Sequence, residues 1–364
     1  MEEFAEESDR RGRGKRSEST MKSKTILMLA AAAMMASASV WAQDKAVEPP
    51  APMLSNLTPD VANINPFPTV DATQFTASFP TVDTVTAFLK QIWGYDTNRI
   101  FQVQAILKSA APSVSRVVVL VAERGQTQDQ VKVTSFLVLN DGKHAISGDR
   151  IMDFGATPFA EKRAILEQKA TGPAHGAASK DLLLVEFADF QCPHCKDGQE
   201  SMEKLAKDFP TARIVFENLP LTQIHHAALQ AATYSVCVAK LKPGNDNAAF
   251  QTFSNEVFAH QDDLTPEKTK ATLDAAVTKA GLDPEAVAAC STAKETQDTV
   301  KASTDLANEL DVDSTPTLFA NGRAIPLSGV AYDTLKDIIN YQAQLDGLKL
   351  PAAAASAPAG DATK

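Results

Sequence analysis

The stretch Phe187-Ala188-Asp189-Phe190-Gln191-Cys192-Pro193-His194-Cys195-Lys196 constrains this chain more than any other. It joins two patterns. The apolar run ending at Phe187 reads as a buried strand. Beyond it, Cys195, Met202, Leu205 and Phe209 recur on one face at helical spacing, so an amphipathic helix follows. Cys192 then falls at a helix N-terminus, where unpaired N–H groups and the helix dipole favour an anion. A thiol so placed gives up its proton more easily and serves as nucleophile or leaving group. Pro193 suits the first helical position, because its missing N–H would have no helical partner. His194 supplies an imidazole whose cationic form favours a thiolate on Cys192.

Two other readings of the Cys-X-X-Cys stand beside a redox centre. Half a zinc site needs a second ligand pair, and His225 and His226 are adjacent in sequence and poorly placed to converge on one metal. A purely structural disulfide would close so small a loop that it would gain little. No metal site is assigned.

The 364 residues leave room for two domains. A net charge of −10, with no basic block in the part expected to fold, argues against a nucleic-acid partner. Residues 1–20 are dense in Glu and Arg. Met21-Lys22-Ser23-Lys24, the apolar run 26–36 and Val40-Trp41-Ala42 then make the three parts of a secretory signal peptide over 21–42, cleaved near Ala42. Its apolar run is shorter than the ~20 residues of a membrane span. Residues 1–20 read as a mis-started or non-native extension, with Met21 the true start. No cysteine lies near the cleavage site to carry a lipid anchor. The mature chain is therefore expected in the periplasm, or otherwise exported to an oxidising space. The four cysteines, an even number, agree: two form the motif and two remain.

Residues 43–82 are rich in Pro, Thr and Asn and read as a flexible linker, with Phe67-Pro68-Thr69-Val70-Asp71 repeated at Phe79-Pro80-Thr81-Val82-Asp83. Asp83 is the expected N-cap of a helix carrying Val85, Phe88, Leu89, Ile92 and Trp93 on one face and ending at Gly94. Strands are expected at 117–122 and 131–139, then a hairpin at Asn140-Asp141-Gly142 into 143–147, and a short piece at 151–154. Residues 83–160 thus form a small α+β domain. A linker helix and a hinge containing Gly172 and Pro173 occupy 161–178. Nothing in this first domain looks catalytic, and His144 reads as a solvated turn residue.

Strands at 182–187 and 213–217 flank the motif helix as a βαβ unit. Residues 221–310 are helical in pattern, broken at Lys242-Pro243-Gly244 and Leu264-Thr265-Pro266. Ser314-Thr315-Pro316-Thr317 introduces a strand, Asn321-Gly322 turns into another, and a helix carries Leu335, Ile338, Ile339 and Leu345. Residues 179–346 therefore read as an α/β domain with a helical insertion at 221–310, and 347–364 as a disordered tail.

Over residues 182–345 the chain resembles secreted disulfide oxidoreductases of the DsbA superfamily. The likeness rests on Cys192-Pro193-His194-Cys195, on Pro220-Leu221 followed by His225, Ala228, Ala231 and Ala232, and on Gly281-Leu282-Asp283. Thr315-Pro316-Thr317 and Asn321-Gly322 complete it. The fold implied is α/β: a thioredoxin fold with an inserted helical subdomain, preceded by the small α+β domain. The resemblance implies a cis Pro316 beside the Cys192–Cys195 pair, and a Thr315 backbone that pairs with an extended substrate segment. It also implies that Glu186 is a buried acid with a raised pKa, relaying protons to Cys195; a strand-end glutamate reaching solvent is the alternative. Cys237 and Cys290 fall where some relatives carry a second disulfide, worth up to roughly 4 kcal/mol. Two buried thiols are the other reading. His225 and His226 are expected to cap or pack the insertion, and His260 to lie on the surface. In layout alone, the first domain resembles the dimerisation module of the DsbC and DsbG isomerases.

The function that follows is an exported protein disulfide oxidoreductase or isomerase, which forms or rearranges disulfides in other exported proteins. A substrate thiolate attacks the Cys192–Cys195 disulfide, a mixed disulfide forms at Cys192, and a second substrate thiolate resolves it, leaving the enzyme reduced. No cofactor is called for. The implied partners are exported proteins with cysteine pairs, a membrane redox protein that recycles the motif, and a second copy of the chain if the first domain dimerises. The alternative is a peptide-binding holdase with a dimeric cleft, in which the redox centre is secondary.

Overall fold

The structure, a computed structural model, describes residues 65–350. The expected extension at 1–20, the signal peptide at 21–42, residues 43–64 of the linker and residues 351–364 of the tail lie outside the described residues.

Helix α1 (Val82–Trp93) lies across an antiparallel sheet of five strands in sequence order: β1 (Arg99–Lys108), β2 (Val114–Glu123), β3 (Lys132–Leu139), β4 (His144–Ser147) and β5 (Arg150–Asp153). Val85, Phe88 and Leu89 of the helix pack on Val103, Ile106, Val117, Val119, Phe136 and Val138. Alternation along β2 and β3 sends these residues to one face. Strand β1 was not expected. Its register shifts between Val103 and Ala105, and this bulge puts Val103 and Ile106 on the same core, which breaks the period-2 signal. The helix begins one residue before Asp83, and its N-cap is Thr81, whose hydroxyl accepts the Thr84 N–H at 3.1 Å. His144 opens β4 rather than sitting free in the turn, with Nδ1 2.5 Å from Asp141 Oδ2.

Residues 65–82 of the expected linker are ordered. Phe75, Ala77 and Phe79 pack on the α1 core, and the Ala77 N–H reaches Ile106 O at 3.1 Å. Alternate apolar residues in an extended segment give it a buried face, which outweighs its polar, proline-rich composition.

The second sheet has the order β10-β9-β7-β8-β6. Its members are β6 (Ala174–Gly176), β7 (Leu182–Ala188), β8 (Ala212–Asn218), β9 (Thr317–Ala320) and β10 (Arg323–Pro326). Strands β7 and β8 are parallel, and every residue of the central β7 is buried, which explains its unbroken apolar run. Helices α3 (Pro193–Asp208) and α9 (Tyr332–Leu345) cover one face. On the other lie α2 (Ala160–Lys169) and α8 (Lys294–Glu309). Between β8 and α8, the chain forms α4 (Ala228–Leu241), α5 (Ala248–Ala259), α6 (Thr269–Lys279) and α7 (Pro284–Ser291), packed around Phe190, Phe253, Val257 and Leu273. A disulfide joins Cys237 of α4 to Cys290 of α7.

The expected hinge is replaced by structure. Strand β6 pairs with β8, so the second sheet starts before residue 179. Gly172 is required there: a Cβ would lie 1.9 Å from Phe216 O. Residues 347–350 of the expected tail are ordered too. Gly347 has φ +73 and allows the Leu348 N–H to reach Ala343 O at 2.8 Å, and Leu348 and Leu350 pack beside α9. The two sheets are fastened together through α1. Arg323 donates to the carbonyls of Gln91 (3.0 Å) and Ile92 (2.6 Å), and the Tyr341 hydroxyl donates to Lys90 O at 2.8 Å.

Candidate active site

Strand β7 ends at Ala188 and α3 starts at Pro193; the residues between them carry the chemistry. Cys192 is the N-cap of α3, with extended backbone (φ −75, ψ 121). Its carbonyl accepts the N–H groups of Cys195 (3.1 Å) and Lys196 (3.2 Å), which closes the first turn. Both motif cysteines are thiols, Cys192 5% exposed and Cys195 fully buried. The Cys192 Sγ faces Thr315 O at 3.6 Å, and the Thr315–Pro316 peptide is cis. Pro316 rests on α3 where Gly198 offers no side chain: a Cβ there would come 3.5 Å from the proline ring.

The two thiols differ sharply in acidity. A hydrogen bond from the Cys195 thiol, helped by the N–H groups of Cys195 and His194, pulls Cys192 down to about 5 against the effect of burial. Burial pushes Cys195 far up, and the neighbouring Cys192 sulfur adds to it. The Asp189 N–H, 3.4 Å from the Cys195 Sγ, works in the opposite direction.

Pro193 and His194 are exposed at the start of α3. The structure brings the His194 N–H to Cys192, and its imidazole makes no hydrogen bond among the described residues. Its backbone N–H is one of the groups that lower the Cys192 thiol. Glu186 is 4% exposed on β7, which removes the solvent-reaching alternative. Burial raises its carboxyl to about 7, although Gln199 opposes this, and Oε1 has no hydrogen-bond partner among the described residues. Glu186 borders a cavity of about 310 Å³ lined by Gln199, Met202, Phe216, Phe250 and Ser254.

Sequence reasoning missed a buried polar cluster behind the motif. The Asp189 carboxylate accepts the Gln191 N–H, the Leu221 N–H and His225 Nδ1, each at 2.8 Å. His225, expected only to cap or pack the insertion, therefore ties the insertion's first turn to the motif. Gln191 accepts the Ala227 N–H at 2.7 Å. Gln261, also buried, donates to Phe190 O (2.9 Å) and Cys192 O (2.8 Å). Asp189 carried a signal that went unread: a carboxylate between Phe187 and Phe190 in a buried segment must find donors. Gln261 carried none, being about 70 residues from the carbonyls that it meets. Among the described residues, no group of three His, Cys, Asp or Glu side chains is arranged to hold a metal ion.

Residues 168–341 match the family model described as thioredoxin. Among curated proteins the chain is similar to the Na(+)/H(+) antiporter NhaA 3 of Salinispora tropica, 30% identical over 148 residues. That segment is 41% of this chain and spans only 21% of the antiporter's length. Among the described residues, no helix is long and apolar enough to cross a membrane. Among solved structures, BdbD of Bacillus subtilis is 24% identical with a TM-score of 0.42, over 48% of this chain and 93% of that one. The thiol-disulfide exchange protein alpha-DsbA2 of Wolbachia pipientis is 20% identical with a TM-score of 0.43, over 50% and 96%. The catalytic domain of Proteus mirabilis ScsC is 21% identical with a TM-score of 0.42, over 51% and 97%. Residues 168–341 are a thioredoxin-like domain, with Cys192-Pro193-His194-Cys195 at the junction of its central strand and the helix that follows.

Proposed function

We propose that this chain is an exported thiol–disulfide oxidoreductase that donates disulfides to cysteine pairs of other exported proteins. The observation that carries the reading is the split between the two thiols: Cys192 held near 5, Cys195 buried and pushed up. A thiolate stabilised on Cys192 favours the reduced enzyme, so the oxidised form is a strong oxidant. A substrate thiolate attacks Cys192 Sγ, the Cys192–Cys195 bond breaks, and its electron pair leaves on Cys195. Glu186, whose carboxyl near 7 is suited to exchanging a proton at neutral pH, supplies the proton that Cys195 takes up. A second substrate thiolate then attacks its own sulfur in the mixed disulfide and releases Cys192 as thiolate. The Thr315 carbonyl beside Cys192 supports an extended substrate lying along this loop as an added strand. A membrane redox protein of the exporting compartment reoxidises the pair.

The first domain serves this reading as an assembly module. Val133, Leu137 and Ile151 are exposed on the sheet face turned away from α1, and they support pairing with a second copy. The decisive experiment compares oxidation of a fully reduced multi-disulfide substrate with rescue of the same substrate after scrambling. Fast oxidation without rescue, lost in Cys192→Ser, is the expected result. Efficient rescue would make the protein an isomerase.

A further inference from the structure

Asp189 touches both motif cysteines through its backbone and the helical insertion through its side chain. Its carbonyl accepts the Cys192 N–H at 3.1 Å, and its N–H points at the Cys195 sulfur from 3.4 Å. Its carboxylate is wholly buried and has three donors, two of them, Leu221 N–H and His225 Nδ1, from the turn that opens the insertion. A buried carboxylate tolerates no unpaired orientation, so these donors fix the side chain and with it the plane of the Asp189 peptide.

We propose that the Asp189 N–H is the donor that stabilises the sulfur of Cys195 whenever that sulfur carries negative charge, and that His225 is a positioning residue that holds this donor in place. The proposal rests on the redox reading above and adds to it a device for the second cysteine. Cys192 has its own donors at the start of α3. Cys195, deep in the core, has the Asp189 N–H. The charge arises in both directions of exchange. When a substrate thiolate attacks Cys192, Cys195 departs with the electron pair of the broken S–S bond. In the reverse step Cys195 loses its proton to Glu186, its thiolate attacks Cys192 Sγ in a mixed disulfide, and the outgoing group leaves as a thiolate. A hydrogen bond to a charged atom acts on the transition state of either step and leaves the first attack by Cys192 on an external disulfide untouched.

The same arrangement joins the reactive pair to the surface. Between Leu221 and His225, two of the three donors to Asp189, the turn carries Ile224, 73% exposed.

Oxidised glutathione separates the steps. The reduced full chain is mixed with it at neutral pH, quenched in acid at millisecond intervals and weighed by mass spectrometry. The bimolecular appearance of the Cys192–glutathione species is thereby separated from its unimolecular resolution by Cys195. For His225→Ala we expect formation within about twofold of wild type and resolution slowed about tenfold, the loss of one hydrogen bond to a charged atom. In His225→Asn the amide Nδ2–H takes the place of Nδ1–H and resolution returns to within about threefold. Asp189→Asn, equal in shape but offering an amide to donors, slows the same step and stands in should His225→Ala fail to fold. Unchanged resolution in both disruptive variants, equal slowing of both steps, or no recovery in His225→Asn overturns the proposal. Failure of the wild type to form the glutathione species at all would overturn the redox reading itself, and the positioning role with it.

Discussion

Glu186→Gln makes the sharpest test of the buried acid. The carboxyl is raised from its ordinary 4.5 to about 7 by burial in the sheet, with one oxygen unpartnered among the described residues. A carboxyl whose pKa is higher folded than unfolded binds protons on folding. Its neutral form therefore sits without penalty below about 4.5, and the penalty grows as pH rises and is complete above about 7. At about 1.4 kcal/mol for each pH unit between those values, the ionised group costs the fold about 3 kcal/mol. The amide of the variant cannot ionise, so this slope is missing from it. Urea unfolding of the reduced wild type and of Glu186→Gln at pH 4, 5.5, 7 and 8.5 gives two stability curves. Their difference cancels every other titrating group, Cys192 included. We expect the variant to gain on the wild type by about 3 kcal/mol between pH 4 and pH 8.5. A difference flat to within about 0.5 kcal/mol would refute the argument and mean that the carboxylate is solvated through its cavity. The variant's thiol exchange should slow most at the step that protonates Cys195.

Other outcomes follow from the same geometry. Alkylation of Cys192 by iodoacetamide should have its midpoint near pH 5, with Cys195 unreactive in the folded chain; a midpoint above about pH 8 would remove the basis for an oxidising centre. Cys237→Ala with Cys290→Ala opens a loop of 53 residues and should cost about 4 kcal/mol in urea unfolding, while the rate of Cys192 alkylation stays the same. Arg323→Ala leaves two carbonyls at the end of α1 without their charged donor; hydrogen exchange should rise about tenfold or more over residues 88–94 and stay unchanged over α3.

The sequence reading succeeded where a signal was local. The βαβ unit around the motif, the N-cap position of Cys192 and the Asn140-Asp141-Gly142 turn each depend on a few neighbouring residues, and each is found in the structure. It failed where a partner distant in sequence decides. Phe75, Ala77 and Phe79 look like punctuation in a proline-rich lead-in until Ile106 supplies an edge to pair with. The segment around Gly172 reads as a hinge because Gly and Pro are breakers. In the folded chain that glycine is instead the residue that lets backbone meet backbone at Phe216. The site shows the same division. The two cysteines were legible from spacing alone, whereas His225 has meaning only once the fold sets its Nδ1 against Asp189.

The fastening of α1 also decides how the two sheets can cooperate. Strand β7 runs from Leu182 to Ala188, and Cys192 lies beyond its C-terminal end. Strand β9 pairs antiparallel with β7, with Ala320 opposite Leu184, and the turn at Asn321 leads directly into Arg323. Arg323 therefore meets the α1 carbonyls at the end of the sheet where β7 begins, remote from the dithiol. At the dithiol itself lie Thr315–Pro316 and Gln261, which meet Cys192, and the turn that grips Asp189 stands behind them, all supplied by the thioredoxin-like domain. The hydrogen-bond partners of Cys192 among the described residues all belong to the thioredoxin-like domain. The Arg323 contacts hold the first domain at the opposite end of that sheet, so the proposed assembly module acts, on that reading, through its own exposed face.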